Sequence, residues 1–148
     1  MRVLFLDDNE NRHKALKRVV IGTGITHVDW AQDAEAAIKC LNDNPKYDII
    51  CFDHDLSDEH YSAFIEHGEN ADYGTTMTGY DVAVFLVTEL EEEKQPDYAI
   101  VHTFNSDGAK RITAALNEAG LQKYIYVFPF NPVSFERTIN HIVLSNGD

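Results

Sequence analysis

YDIICFDHD, residues 47–55, is the stretch that decides the fold. Ile49, Ile50, Cys51 and Phe52 follow one another without a polar residue, and such a run suits a strand covered on both faces of a parallel sheet. It breaks at Asp53, followed by His54 and Asp55. The same grammar opens the chain, where Val3-Leu4-Phe5-Leu6 stops at Asp7-Asp8. Between the two lie a helical pattern with Ala15, Leu16, Val19 and Val20 near 3.6 spacing, a weaker strand at about 26–30, and a helix capped by Asp33 that carries Ala37, Ile38 and Leu41.

Downstream, Thr78-Gly79-Tyr80-Asp81 reads as a capping box opening a helix with Val82, Phe85, Leu86 and Leu90. A fourth strand is expected from Tyr98 to His102 or Thr103, then a helix capped by Ser106 or Asp107, carrying Ile112, Ala115 and Leu116 and ended by Gly120. A fifth strand is expected over 124–128, and Asn131-Pro132 starts a last helix with Phe135, Ile139, Ile142 and Val143. Strands alternating with helices imply a parallel sheet with helices on both faces, an α/β fold. Residues 56–77 break the rhythm with an aperiodic segment rich in Asp, Glu, His, Gly and Tyr. Connections in such folds usually take about 2–6 residues, so this one is expected to be a functional insertion or lid.

The chain of 148 residues suits one domain, spanning 1–148. Its 12 Lys and Arg against 25 Asp and Glu give a net charge of −13. That balance speaks against coating long nucleic acid or sitting on anionic membranes. Either the surplus serves solubility or part of it forms a concentrated carboxylate site. No stretch approaches the roughly 20 apolar residues of a membrane span, and the short apolar start is no secretory signal. Cys40 and Cys51 lack metal-like spacing, and Cys51 is expected to be a buried thiol; both fit a reducing cytoplasm.

Ligands of open parallel sheets bind beyond the carboxyl ends of the strands, at the switch point of strand order. With the order 2-1-3-4-5, the ends of strands one, three and four converge, bringing together Asp7, Asp8, Asp53, His54, Asp55 and His102. Crowded carboxylates repel, and a divalent cation compensates. Oxygen donors suit Mg²⁺, and an admixture of imidazole suits Mn²⁺, Fe²⁺ or Zn²⁺. The metal set expected is Asp7, Asp8, Asp53 and Asp55. His54 and His102 are the expected acid and base, with Asp53 beside them. Side chains alternate along a strand, which sets His54 on the opposite side from Asp53 and Asp55 unless the chain has turned. His60 and His67 could reach the site from the insertion, whereas His13, His27 and His141 read as surface residues. A helix N-terminus favours anions, so Thr103, Asn105, Ser106 and Gly108, with Arg12 from the first helix, are the expected phosphate ligands.

LFLDDNENR at 4–12 and YDIICFD at 47–53 resemble a response-regulator receiver domain. The resemblance implies a flavodoxin-like (βα)5 three-layer sandwich with Asp7, Asp8 and Asp53 holding Mg²⁺, and it places Asp53 at the phospho-accepting position. Phe128, before Pro129, stands where receivers carry a lysine, which speaks against ordinary phosphorelay switching. DHDL at 53–56, TGYDVAVFL at 78–86 and HTFNSDG at 102–108 resemble the cyclic-phosphate-processing receiver family, with Ser106-Asp107 as a minor departure. That resemblance implies metal-dependent hydrolysis of a cyclic phosphate in a nucleotide or RNA end. The rival expectation is a non-catalytic receiver-like module that signals through protein contacts across an exposed apolar patch. The expected partner is a small phosphate ligand or RNA end.

Overall fold

The structure is a computed structural model that describes residues 1–72, 76–118 and 124–146. Five parallel strands, β1 (Arg2–Leu6), β2 (His27–Ala31), β3 (Ile49–Phe52), β4 (Tyr98–Val101) and β5 (Tyr124–Val127), form one sheet in the order β2-β1-β3-β4-β5. The expected order therefore holds, with boundaries shifted by one or two residues. Gly120, the expected end of the fourth regular helix, lies outside the described residues.

Six α-helices are described: α1 (Glu10–Val20), α2 (Ala34–Asp43), α3 (Asp58–His67), α4 (Gly79–Thr88), α5 (Ser106–Glu118) and α6 (Pro132–Asn146). The two faces of the sheet bury separate cores. Leu4, Leu6, Ile50, Phe52 and Val101 meet α2, α4 and α5, while Val3, Phe5, Ile49, Cys51 and Ile100 meet α1 and α6. Every residue of β3 is buried, as the unbroken apolar run requires. Each such side chain contributes roughly 1.5–3 kcal/mol over its exposed state.

One helix was not expected. α3 lies inside the segment 56–77, where the Oγ of Ser57 accepts from the His60 N–H at 3.2 Å. Its only buried residue is His60, so no apolar stripe marked it in the sequence. Other caps follow the sequence: Asp33 for α2, Asn131 for α6, and Thr78 with Asp81 for α4, where Asp81 Oδ2 accepts the Thr78 N–H at 2.7 Å. For α5 the cap is Asn105 rather than Ser106 or Asp107, because its Oδ1 takes the Gly108 N–H at 2.9 Å.

α4 and α5 close tightly over the residues that follow β3. The Gly79 N–H donates to the His54 carbonyl at 2.9 Å, and a Cβ on Gly79 would overlap the Asp53 carbonyl. A Cβ on Gly108 would overlap the His54 ring. Both glycines are required by contact with backbone or a locked ring, which cannot move aside. Gly79→Ala is accordingly expected to lose about 3 kcal/mol, a fall of roughly 6–12 °C in Tm by differential scanning calorimetry. An unchanged Tm would mean that the helix does not press on the strand end as described.

Candidate functional site

The carboxyl ends of β1 and β3 deliver Asp7, Asp8 and Asp53 to one place. One oxygen from each of these three residues lies within 4.8 Å of the other two. Hydrogen bonds hold the ends in register: Asp7 N–H donates to the Ala31 carbonyl at 3.0 Å and Asp53 N–H to the Leu6 carbonyl at 3.0 Å. Asp7 and Asp53 are buried, and Asp8 is half-buried.

Arg12 reaches the cluster from the first turns of α1. Its Nε donates to Asp7 Oδ2 at 2.7 Å and its Nη2 to Asp7 Oδ1 at 2.8 Å, a two-pronged pair. The same Nη2 stands 3.4 Å from Asp53 Oδ2 and 3.7 Å from Asp8 Oδ1. One guanidinium thus serves three carboxylates. It does not balance them: burial, then the charge of Asp7, pushes the Asp53 carboxyl well above the usual carboxylate range, against the pull of Arg12 and a hydrogen bond from Thr103. Burial and Asp7 also raise Asp8. The three carboxylates offer an oxygen-only donor set with surplus negative charge, which fits a hard divalent cation such as Mg²⁺ or Mn²⁺.

A cavity of about 310 Å³ opens above the cluster, lined by Asp8, Asn9, Arg12, Asp53, Asp55, Ser57, Asp58, Tyr61, Thr103 and Phe104. Thr103 and Arg12, expected at the phosphate, both line it. A wider groove of about 580 Å³ lies alongside and shares Thr103 and Phe104 with it; Ser106 faces this groove instead.

Several expected residues stand elsewhere. Asp55 lines the cavity but is outside the three-carboxylate cluster, because its Oδ1 is taken by His54 Nδ1 at 2.7 Å and by Asn105 Nδ2 at 3.2 Å. Asn105 is buried between these groups and the start of α5, so it braces the site from below. Gly108 lies under the His54 ring with its N–H already given to Asn105, which withdraws it from the phosphate ligands. His54 is fully buried on the α4 and α5 side. His102 is buried on the opposite side, stacked on Phe5 with ring centroids 4.9 Å apart and set against Phe130 and Phe135. Its Nδ1 lies 3.7 Å from Asp7 Oδ2. Neither histidine lines the cavity.

The remaining histidines are mostly structural. His60 is buried, and its Nδ1 accepts the Leu56 N–H at 3.0 Å. His67 is exposed beside Glu66, 3.7 Å away. His13, expected on the surface, is half-buried and stacks on Trp30 at 4.3 Å. The Trp30 indole N–H donates to the Asp7 carbonyl at 2.6 Å, fixing the acidic turn from behind. Sequence reasoning missed Tyr61 and Phe104 as cavity residues. The signal available for Phe104 was a large aromatic ring inside the polar HTFNSDG segment.

Two expected outcomes follow from the geometry. Removing the guanidinium leaves the cluster without its internal cation, so Arg12→Ala should unfold at lower temperature without metal and bind Mn²⁺ about tenfold more tightly than the parent in calorimetric titration. Weaker Mn²⁺ binding would show that Arg12 helps to build the site rather than to occupy it. Burial lowers His102 from 6.5 to about 4, against the pull of Asp7. The unfolded chain therefore takes up a proton that the folded chain refuses between these values. Stability from this group is complete above about pH 6.5 and is lost as pH falls toward 4, by up to about 3 kcal/mol. Urea unfolding at pH 4.5 and 7.5 should show a smaller acid loss in His102→Leu than in the parent; equal losses would place the titration elsewhere.

Among the described residues no helix is long and apolar enough to cross a membrane. A comparison with curated proteins finds no match. Solved structures of receiver domains share the fold. A CheY-like response regulator receiver domain from Methanospirillum hungatei JF-1 is 15% identical with a TM-score of 0.62, covering 99% of this chain and 95% of that one. Chemotaxis response regulator CheY4 of Vibrio cholerae is 18% identical with a TM-score of 0.60, covering 95% of this chain and 97% of that one. The Mn²⁺-bound form of response regulator Rcp1 is 15% identical with a TM-score of 0.59, covering 95% of this chain and 90% of that one. The model of the cyclic-phosphate processing receiver domain matches residues 2–118, which span all three motifs and every carboxylate of the cluster, and the chain belongs to that family.

Proposed function

We propose that this protein hydrolyses a cyclic phosphate, of a nucleotide or an RNA end, with the help of a divalent cation held by Asp7, Asp8 and Asp53. The observation that carries the reading is the three-carboxylate cluster, of which Asp8 and Asp53 line a cavity together with one guanidinium and one threonine hydroxyl. A phosphate anion would meet a net repulsive lining of Asp8, Asp53, Asp55 and Asp58 against Arg12 unless a cation reversed the local sign. A bound cation would supply charge neutralisation at phosphate and a more acidic water.

The chain's own groups take defined roles in this reading. Arg12, released from part of its pairing with Asp7, binds phosphate oxygens with its fork of N–H donors. Thr103 Oγ1 positions Asp53 and faces the same cavity. Asp55 faces the cavity with His54 Nδ1–H donating to its Oδ1, so it can take a proton from water at its other oxygen while His54 keeps it oriented. His102 acts through Asp7, as a positioning residue behind the cluster. The acid–base work expected of the two histidines therefore passes to the carboxylate that one of them holds.

A second reading has its own observation. The 580 Å³ groove along α5 and β5 carries exposed Phe104 and Val127, the apolar patch that a signalling module would present. In the lysine's place the Phe128 ring packs edge-on against Phe135 at 5.2 Å, so such a module would lack the usual phosphorelay contact.

Incubation with 2′,3′-cyclic nucleotides and Mg²⁺, Mn²⁺ or Zn²⁺, followed by ³¹P NMR, should yield a nucleoside monophosphate, and Asp53→Asn should lower the rate at least about 100-fold. No product with any of the metals, together with labelling of Asp53 by acetyl phosphate, would overturn hydrolysis in favour of the module.

A further inference from the structure

Phe104 is the one exposed phenylalanine among the described residues, at 55% exposure, and Tyr61 is exposed to 53%. Leaving rings of this size in water gains nothing for the fold. Both line the cavity above the carboxylates, Tyr61 from α3 and Phe104 from the turn between β4 and α5. The Arg12 guanidinium carbon lies 5.9 Å from the Phe104 ring centre, so the ring belongs to the same site as the cluster. We propose that Phe104 and Tyr61 are a stacking platform for a nucleobase, which makes the substrate a ribonucleoside cyclic phosphate rather than a base-free sugar or polyol cyclic phosphate.

This inference rests on the cyclic-phosphate reading and names the residues that would hold the base of its substrate. The chemistry divides the cavity in two. Arg12 and the carboxylate floor suit the phosphate end. Tyr61 and Phe104 suit a flat, uncharged, polarisable group, because every base offers a π-face to an aromatic ring. A second acidic group on the substrate would face Asp58 next to Tyr61, whereas a neutral base with amino donors would not be repelled there. The cavity volume of about 310 Å³ lies at the small end of ligand pockets, which start near ~300 Å³. The base can come from a free nucleotide or from the last residue of an RNA, and the chemistry recognised is the same.

The test compares adenosine 2′,3′-cyclic phosphate, a short RNA ending in 2′,3′-cyclic phosphate, and base-free ribose 2′,3′-cyclic phosphate, each with Mn²⁺. The parent protein, Phe104→Ala and Tyr61→Ala are assayed, with calorimetric binding of adenosine monophosphate alongside. Both rings are exposed, so melting curves should confirm that the variants fold. The parent should prefer the base-bearing substrates by about tenfold or more in kcat/KM, with the difference in KM, as expected for one stacking contact. Phe104→Ala should reduce that preference severalfold and weaken adenosine monophosphate binding to match. The ratio of RNA to mononucleotide rates identifies the source of the base. If the base-free substrate reacts as well as the nucleotide, or if Phe104→Ala leaves the preference intact, the platform is wrong while cyclic-phosphate hydrolysis stands. If no substrate reacts, hydrolysis itself fails, and the platform is judged by binding alone: equal affinity for adenosine monophosphate in parent and Phe104→Ala overturns it.

Discussion

One guanidinium facing three carboxylates is the constraint around which this end of the molecule is arranged. A parallel sheet gathers the ends of its central strands, and here two of those ends are acidic. Asp7 can be fully buried because Arg12 meets it with two N–H groups at 2.7 and 2.8 Å. Without that pair, burying a carboxylate beside two others would cost several kcal/mol. The pair is nonetheless a partial answer, because Asp53 remains pushed toward its neutral form. A cluster that is held together yet still short of positive charge offers three carboxylate oxygens that could hold a cation.

The same economy of space governs the layer beneath. Two helices start against the Asp53–Asp55 segment, and each does so through a glycine, Gly79 at the Asp53 carbonyl and Gly108 at the His54 ring. Their close approach seals His54 and Asn105 into a hydrogen-bonded group with Asp55. On the other side of the sheet, His102 fills the space between Phe5, Phe130 and Phe135 and touches Asp7 from behind. The two histidines thus lie behind carboxylates on opposite faces, and neither is among the residues that meet the cavity. The motif residues of the family divide accordingly. Asp8, Arg12, Asp53, Asp55 and Thr103 line the cavity, while Gly79, Asn105, Gly108 and both histidines pack behind them.

Much of this was legible in the residues. The unbroken run Ile49–Phe52 suits a strand buried on both faces of a parallel sheet, and the alternation of apolar runs with 3.6-spaced stretches marked the α/β class; the strand order came with the resemblance to receiver domains, and that order is what brings Asp7, Asp8 and Asp53 together. Caps at Asp33, Thr78 and Asn131 were readable because a short polar side chain before an apolar stripe has a local job. Helix α3 was not readable, since it buries a single residue and so leaves no periodic signature. The cap of α5 was misplaced by one or two residues for a related reason: Asn105, Ser106 and Asp107 are all good caps, and only the backbone trace selects Asn105.

Local chemistry and periodicity are encoded in neighbouring residues, so the sequence by itself determined the alternation of strands and helices and the place of Asp7, Asp8 and Asp53 at strand ends, while the sheet order that gathers them came from the resemblance to receiver domains. Which atoms then face the cavity depends on rotations at the strand ends and on helices arriving from tens of residues away, and these have no local signature. Tertiary packing therefore decided that Arg12 stands inside the carboxylate cluster, that Asp55 pairs with His54 rather than joining the cluster, that His102 looks into the core, and that Tyr61 and Phe104 stand over the site. The net charge of −13 is a sum that carries no positions. Folding turns a few of those charges into a site by burying them together, where their repulsion is no longer screened by water.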